Sequence, residues 1–289
     1  MNRGTVLALS AYIFWGSHPI YWKLLQQVPS GEIVSHRILW SFVFFLIILL
    51  ARKEWCGLLE KIKGRTPKYV IFLPAFLIGS NWAMYIWAVN AGYIIETSLG
   101  YFICPLVSVF LGVFFLNENL RKLQWLAIII ACSGVLTITF YYGQFPWISI
   151  FLAVTWAVYG LLRKNSPLSP VEGLLIETTI LLLPVSIYLV YLHTIGSSSF
   201  FNNISTGLLL VGTGIISGLP LIIFIASAKM IKLSLIGILQ YVYPTLVFLI
   251  GFFIYNEPLS KPKLIGFIFI WTALIIYTAE STIFIKRKE

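Results

Sequence analysis

Two stretches of this chain decide its fold, because one repeats the other without a gap. The sequence PLVSVFLGVFFLNENLRK at 105–122 aligns with PTLVFLIGFFIYNEPLSK at 244–261, at a constant offset of 139 residues. Pro, Gly, Phe, Asn, Glu, Leu and Lys coincide in that order. Two unrelated apolar runs would rarely place Pro, Gly and Asn-Glu in register, so the pattern predicts an internal duplication.

Apolar runs of membrane-spanning length fill most of the chain. A bilayer core about 30 Å thick needs about 20 apolar residues per helix, and in lipid each segment must satisfy its own backbone hydrogen bonds. The sequence therefore predicts an all-α integral membrane protein with ten transmembrane helices. Charges, Pro or Gly delimit them at 4–26, 31–51, 69–89, 94–116, 122–141, 146–162, 172–192, 207–228, 234–255 and 264–285. We expect five prolines to kink their helices, namely Pro74, Pro105, Pro184, Pro220 and Pro244.

The composition excludes a water-soluble domain of any size. The chain is 59% hydrophobic and 10% charged, whereas soluble domains carry about 25% charged residues. The net charge of +10 comes from Lys and Arg in short loops, which indicates membrane orientation rather than nucleic-acid binding. The three cysteines follow no metal-binding or disulfide pattern. We therefore expect no cofactor and no metal site.

The positive charges predict how the chain is oriented. Sixteen of the 20 Lys and Arg fall on the side of the N-terminus, with Arg163 among them. Such residues concentrate on the cytoplasmic side, so we expect both termini in the cytoplasm. Each copy of the repeat holds five segments, an odd number, so the second half at 144–289 should be inverted relative to the first half at 1–143. We expect the Asn-Glu pairs at 117–118 and 256–257 to cap the repeated helix and hold the following hairpin.

Ionisable residues inside the predicted helices are candidates for a substrate site, because a charge in lipid costs a few kcal/mol. Arg37 lies in the second segment and Glu177 in the seventh, each roughly 8–9 Å deep. The two match at an offset of 140. We expect them to bracket a water-filled site near the midplane, with Arg37 favouring an anionic group and Glu177 a cationic group of a zwitterion. The alternative is an internal gate or packing ion pair, with Lys23 and Glu32 as local partners.

Further polar residues are candidates for the same site. Glu177 is also the candidate proton site, since a buried carboxyl can load and release a proton during transport. The amides of Asn81 and Gln240 would bind substrate or, equally, bond helices to one another. His18, with Trp15 one turn earlier, would line the cavity or lie satisfied near the membrane surface.

Several aromatic and polar motifs lie within the helices. They include Trp15-Gly16, His36-Arg37, Asn81-Trp82 followed by Tyr85, Tyr159-Gly160 and Gln240-Tyr241 before Pro244. With these motifs the whole chain resembles the RarD family of the EamA-type drug/metabolite transporter superfamily. The resemblance implies two inverted five-helix units and adds Tyr85 and Tyr241 to the candidate substrate-binding residues. It also implies proton-coupled export of small polar or amino-acid-like metabolites, while the family label refers only to chloramphenicol sensitivity.

The function classes separate on these features. A carrier predicts inverted halves, sparse midplane polarity and helices interrupted by Pro or Gly. A passive channel or scramblase of the same fold stays open, since only the lack of a charged ring or filter motif argues against it. An intramembrane enzyme is disfavoured because the sequence has no Asp and no nucleophile–base motif. We therefore expect a carrier, monomeric or homodimeric, that moves a small polar metabolite or drug across the bacterial inner membrane by alternating access.

Overall fold

The computed structural model describes residues 2–64, 67–256 and 261–286. This part of the chain folds into twelve α-helices. They are α1 (Arg3–Lys23), α2 (Ser30–Ala51), α3 (Trp55–Gly64), α4 (Lys68–Asn90), α5 (Ile94–Phe115), α6 (Lys122–Tyr142), α7 (Trp147–Asn165), α8 (Pro170–Thr194), α9 (Ile204–Ala228), α10 (Leu233–Gln240), α11 (Val242–Phe253) and α12 (Lys261–Lys286).

These helices confirm the predicted all-helical membrane protein. Among the described residues, eight helical stretches are long and apolar enough to cross a membrane, with α10 and α11 counted as one stretch. The first and tenth predicted segments correspond to α1, of 21 residues, and α12, of 26 residues. Four of the expected intrahelical prolines lie inside continuous helices, as predicted; they are Pro74, Pro105, Pro184 and Pro220.

The fifth proline coincides with a break in its helix. The segment predicted at 234–255 is divided, because α10 ends at Gln240 and α11 begins at Val242. Pro244 has no N–H to donate and its ring clashes with the carbonyl four residues earlier, which belongs to Gln240. At the break, the N–H of Tyr241 donates to Ile238 O, three residues earlier, at 3.2 Å. A short irregular stretch therefore interrupts the helix inside the protein.

Between the second and third predicted segments the structure has a further helix, α3, where the sequence predicted only a loop. Its Leu58 is buried, while Trp55, Leu59 and Ile62 are exposed. Lys61 Nζ lies 2.7 Å from a carboxylate oxygen of Glu172 and so ties α3 to the first turn of α8. The helix is short and charged, so hydropathy gave no sign of it.

The main helix contacts join the first and second parts of the chain. Helix α2 packs on α8 and α9, α1 on α9 and α11, α4 on α7 and α8, α5 on α7 and α10, and α6 on α12. A close approach of α2 and α9 depends on Gly214, where a Cβ would collide with the backbone of Trp40. Residues far apart in sequence are therefore brought together at the centre of the bundle.

The two repeated stretches end in the same backbone conformation. Asn117 has φ 51° and Asn256 has φ 53°, in the left-handed region that Asn tolerates better than most residues. From the sequence we expected Glu118 to hold its own hairpin, but its carboxylate binds elsewhere. It accepts hydrogen bonds from the N–H groups of Leu233 and Ser234 at 2.6 and 2.9 Å, and so caps α10. Its counterpart, Glu257, lies outside the described residues.

Candidate functional site

Arg37, in the second turn of α2, lies in a cage of aromatic side chains from α4, α5 and α11. Its guanidinium carbon lies 4.4 Å from the ring centroid of Trp82. The rings of Tyr101 and Tyr243 are in edge contact at 4.9 Å, and the hydroxyl of Tyr101 bonds with those of Tyr85 and Tyr243. All three tyrosines interact with the charge of Arg37. We call these five residues the Arg37 cage.

No carboxylate of the described residues balances the cation of this cage. Within residues 2–64, 67–256 and 261–286, Arg37 forms no ion pair, and its buried Nε has no hydrogen-bond partner. The face of Trp82 stabilises the half-buried guanidinium, since a cation–π contact contributes about 0.5–2 kcal/mol depending on its exposure. A guanidinium with a free N–H is suited to an anionic group from a ligand, such as a carboxylate.

His18 borders the cage, whereas Trp15 packs among aromatic rings of α7 and α9. The His18 ring interacts with the charge of Arg37, and its Nε2 lies 3.1 Å from Ile216 O. Trp15, one turn earlier on α1, packs against Trp156 of α7 at 5.5 Å and Phe224 of α9 at 5.6 Å. We call Trp15, Trp156 and Phe224 the aromatic layer.

Glu177 is linked to the aromatic layer through Tyr159. Its Oε2 accepts a hydrogen bond of 2.9 Å from Tyr159, whose ring contacts Trp156. Its Oε1 lies 3.4 Å from Arg163 Nε, and both charged side chains are almost fully buried. Gly173 makes room for this pair, because any Cβ there would overlap the guanidinium. Glu177 is therefore already paired inside the protein and does not share a site with Arg37.

The structure places Arg163 in a helix rather than in a loop. The residue was assigned to a cytoplasmic loop, yet α7 continues to Asn165 and buries Arg163 completely. The alternative partners proposed for Arg37 and Glu177 contact other groups. Lys23 Nζ lies 5.0 Å from the ring centroid of Tyr255, and Glu32 accepts hydrogen bonds from the loop between α8 and α9.

A lysine at the end of α9 strengthens the same end of the bundle. Lys229 Nζ donates to Ser166 O at 2.7 Å and to Leu168 O at 2.5 Å. Burial, followed by the positive charge of Arg163, lowers the pKa of Lys229. Together with the Arg163–Glu177 pair, these bonds hold the α7–α8 junction against α9.

Three of the remaining candidates bond one helix to another. Asn81 Nδ2 donates to Leu152 O at 2.9 Å and to a hydroxyl of α7 at 2.8 Å. Gln240 bonds with the Cys104 thiol, and the hydroxyl of Tyr241 donates to Phe102 O at 3.2 Å. Their polar groups are thus used at least in part for packing, while the fourth, Tyr85, belongs to the Arg37 cage.

Three cage residues were not among the candidates from the sequence, namely Trp82, Tyr101 and Tyr243. Trp82 appears there only as part of a motif. The two tyrosines lie on different helices, and each precedes a proline, by four residues for Tyr101 and by one for Tyr243. Since aromatic residues are also common at membrane interfaces, that signal does not separate them from the other tyrosines.

A cavity adjoins the cage on its outer wall. It has a volume of about 530 Å³ and lies between α2, α4 and α8, with Val34, Ile38 and Tyr188 among its lining residues. Trp82 also lines it, so this indole contacts both the cavity and Arg37. The volume falls within the range of about 300–1,000 Å³ that is typical of small-molecule pockets.

Similarity to known proteins shows to which family the chain belongs. The EamA-like transporter family matches residues 2–140. Protein RarD of Salmonella typhi is 41% identical over 289 residues, which cover 100% of this chain and 98% of the relative. The chain belongs to the RarD family of EamA-like transporters. An uncharacterized transporter of Bacillus subtilis strain 168, YojE, is 41% identical over 281 residues, covering 96% of this chain and 94% of the relative.

A solved structure supports the fold of this RarD-family transporter. A protein known from a crystal structure superposes with a TM-score of 0.73, covering 96% of this chain and 97% of its own. At 20% sequence identity the likeness concerns the fold alone. The family membership itself makes the chain a multi-pass membrane transporter rather than an enzyme.

The geometry of the RarD-family site is that of binding rather than bond-making. One half-buried cation lies in an aromatic cage without a carboxylate partner among the described residues, and Arg163 and Glu177 form a buried ion pair elsewhere in the bundle. Within the described residues, no three His, Cys, Asp or Glu side chains are grouped so as to hold a metal ion. Charge recognition is what these groups supply.

Proposed function

We propose that this transporter is a carrier that exports a small polar metabolite or drug with an anionic group across the bacterial inner membrane by alternating access. Arg37 carries the proposal, because it is a half-buried cation without a carboxylate partner in the described part of the chain, and its buried Nε has no hydrogen-bond partner there. Arg37 lies beside Tyr243. Tyr243 is three residues after Gln240, at which α10 ends and the helix is broken. Broken helices mark the substrate sites of many inverted-repeat carriers. The outward direction rests on analogy with the superfamily.

The proposal includes ten spanning helices in two inverted five-helix units, at 1–143 and 144–289. The helix contacts support it, because they come in matching pairs. The contact of α1 with α9 has its counterpart in α7 with α4, and that of α2 with α9 in α8 with α4. The contact of α5 with α7 corresponds in the same way to α11 with α1. The left-handed Asn117 and Asn256 add a matched feature at the ends of equivalent helices.

The proposed orientation places both termini and α3 in the cytoplasm. Arg52 and Lys53 precede α3, and Lys61 and Lys63 lie in its last turn. Positive residues of short loops concentrate on that side of the membrane. The end of the bundle that holds Arg163 and Glu177 would then face the cytoplasm, while the Arg37 cage would lie nearer the outside.

In this arrangement the Arg163–Glu177 pair acts as an inner gate. The anionic group of the substrate binds Arg37, and its remaining body contacts the aromatic rings of the cage. Separation of Arg163 from Glu177 would open the inner side and free Glu177 for a cationic group of a zwitterionic substrate. Binding by opposite charges at two depths would therefore occur in sequence rather than at once.

Flux through proteoliposomes tests the proposal. We would measure a panel of radiolabelled amino acids, other zwitterions and small carboxylates, with and without a proton gradient. A carrier gives saturable flux, and Arg37→Gln should raise the half-saturating concentration of anionic substrates more than Arg37→Lys does. Arg52→Gln, which removes an exposed cation at the other end of α2, is the matched control and should leave it unchanged.

The same measurement separates the alternative function. Flux that rises linearly with concentration and does not respond to Arg37→Gln would favour a passive channel or scramblase of the same fold. Saturable flux with equal half-saturation in the wild type and Arg37→Gln would support a carrier but remove Arg37 from its substrate site.

A further inference from the structure

We infer that Glu32, at the end of α2 nearest the α8–α9 loop, is the site at which this transporter binds and releases its coupling proton. The inference deepens the proposed function, and it rests on that function in making proton binding a step of a transport cycle. Glu177 was the candidate proton site from the sequence, and its pairing with Arg163 leads to this different assignment.

The carboxyl of Glu32 is buried with one oxygen satisfied and the other free. The side chain is 0% exposed. Its Oε1 accepts a hydrogen bond of 3.0 Å from the Ser198 hydroxyl and one of 2.7 Å from the Ser199 N–H. Its Oε2 is buried and has no hydrogen-bond partner among the described residues. A proton on Oε2 would leave both bonds to Oε1 intact.

The neighbouring histidine cannot easily balance a carboxylate at Glu32. His36 Nε2 lies 4.0 Å from Oε1 of Glu32, too far for a direct hydrogen bond. Its Nδ1 accepts a hydrogen bond from Trp40 Nε1 at 3.3 Å, which assigns the ring proton to Nε2 and makes the imidazole neutral. A second ring proton would have to sit on Nδ1, where it would face the N–H of Trp40, and two hydrogen-bond donors would then point at each other. The stacked ring of Phe200, at 4.7 Å, further limits any turning of the imidazole.

Unlike Glu32, the other buried glutamates have either a cation as partner or hydrogen bonds on both carboxylate oxygens. Glu172 and Glu177 each pair with a cation. Glu96 accepts hydrogen bonds on both carboxylate oxygens, as does the half-buried Glu118. In the part of the chain that the structure describes, Glu32 is thus the buried carboxyl that has a free oxygen and no counter-cation.

Few titratable groups lie on the described elements that pack around Glu32. Helix α9 and the α8–α9 loop, both packed on this end of α2, contain no titratable side chain. Helix α8 contributes Tyr188, whose hydroxyl lies against the residue before Glu32, and His193 in its last turn. Helix α4 contributes Tyr85 of the Arg37 cage, and α2 itself contributes His36 and Arg37. Arg37 is directed to its cage and forms no ion pair with Glu32 in the described structure.

Access of water to Glu32 depends on the α8–α9 loop, because Ser198 and Ser199 of that loop bond to its Oε1. With the loop in place the free Oε2 holds the proton, and withdrawal of the loop would admit water and release it. The five-residue separation of Glu32 and Arg37 on one helix lets a movement of α2 affect both sites.

Proton binding can be measured without knowing the substrate. Infrared difference spectra of the full-length protein in lipid, recorded over a pH titration, report a protonated carboxyl directly. We expect such a band in the wild type and its loss in Glu32→Gln. Glu96→Gln is the matched control, as it is also buried in the first turn of its helix, and it should keep the band, as should Glu177→Gln.

A milder change guards against misfolding. Ser198→Ala removes one hydroxyl that stabilises the carboxylate, so the band should titrate at higher pH than in the wild type. In flux measurements a proton gradient should stimulate transport in the wild type and in Glu96→Gln but not in Glu32→Gln.

Several outcomes would overturn the assignment. A band that persists in Glu32→Gln, that is lost in Glu177→Gln, or that does not shift in Ser198→Ala would do so. Displacement of the band by sodium at constant pH would identify a sodium site instead of a dedicated proton site. Failure to observe saturable flux would contradict the carrier proposal, while the infrared result would still decide whether Glu32 binds a proton.

Discussion

Replacing Glu177 by Gln should leave the guanidinium of Arg163 buried without a counter-charge. The two side chains are almost fully buried and 3.4 Å apart, and removing one partner of such a pair costs about 3–5 kcal/mol. Gln keeps the shape of the side chain and a hydrogen-bond acceptor for Tyr159, so the loss reports mainly the unpaired charge. Arg163→Met should cost a similar amount, since it leaves the carboxylate unpaired.

The double variant decides whether the pair is responsible. With both charges removed, neither is stranded, so the double change should cost less than the sum of the single changes by about 2–3 kcal/mol. We would measure reversible unfolding of the purified protein in detergent by loss of helical circular dichroism. Lys61→Gln is the control, because the Lys61–Glu172 pair leaves its lysine 44% exposed, and exposed pairs contribute about 0–1 kcal/mol. Single-variant costs that simply add would refute the coupling.

Three further predictions concern packing, backbone and topology. Gly214→Ala should cost about 1–3 kcal/mol, because its Cβ would meet the Trp40 backbone; Gly57→Ala, with open space around it, should not, and equal unfolding midpoints would contradict this. Asn117→Val should cost about 1–2 kcal/mol at a left-handed position, while Asn117→Gly should not; equal losses would remove the conformational explanation. A membrane-impermeant maleimide should modify the exposed Cys56 in inverted vesicles but not in intact cells, with Cys56→Ser as control, and labelling of intact cells would reverse the proposed orientation.

The helices were predictable because spanning a bilayer demands long apolar segments. The broken helix was not, since the aligned prolines behave differently. Helix α5 continues through Pro105, whereas the equivalent helix is interrupted before Pro244. The four residues before each proline differ, being YFIC at 101–104 and QYVY at 240–243, and an apolar pattern does not tell which of them continues the helix. The thiol of Cys104 and the ring of Tyr243 occupy equivalent positions in the alignment and have different neighbours.

The candidate site was predictable where a buried charge marks it and hidden where only packing does. Arg37 and Glu177 stood out as ionisable residues inside apolar segments. Arg163 did not, because it precedes Lys164 at the end of a segment, where charges usually belong to loops. Tyr101 and Tyr243 are distant in sequence, and their contact exists only after α5 and α11 have come together. Hydropathy carries no information about such a contact.

The cap that Glu118 places on α10 constrains how the chain is made. The carboxylate leaves the ribosome 115 residues before the N–H of Leu233 that it will bind. Glu118 must therefore remain at the membrane, uncommitted, while α6 to α9 are synthesised and inserted. Separate expression of a first half would leave this side chain without its partner, and a second half alone would begin α10 uncapped. Biogenesis of either half should consequently depend on the presence of the other.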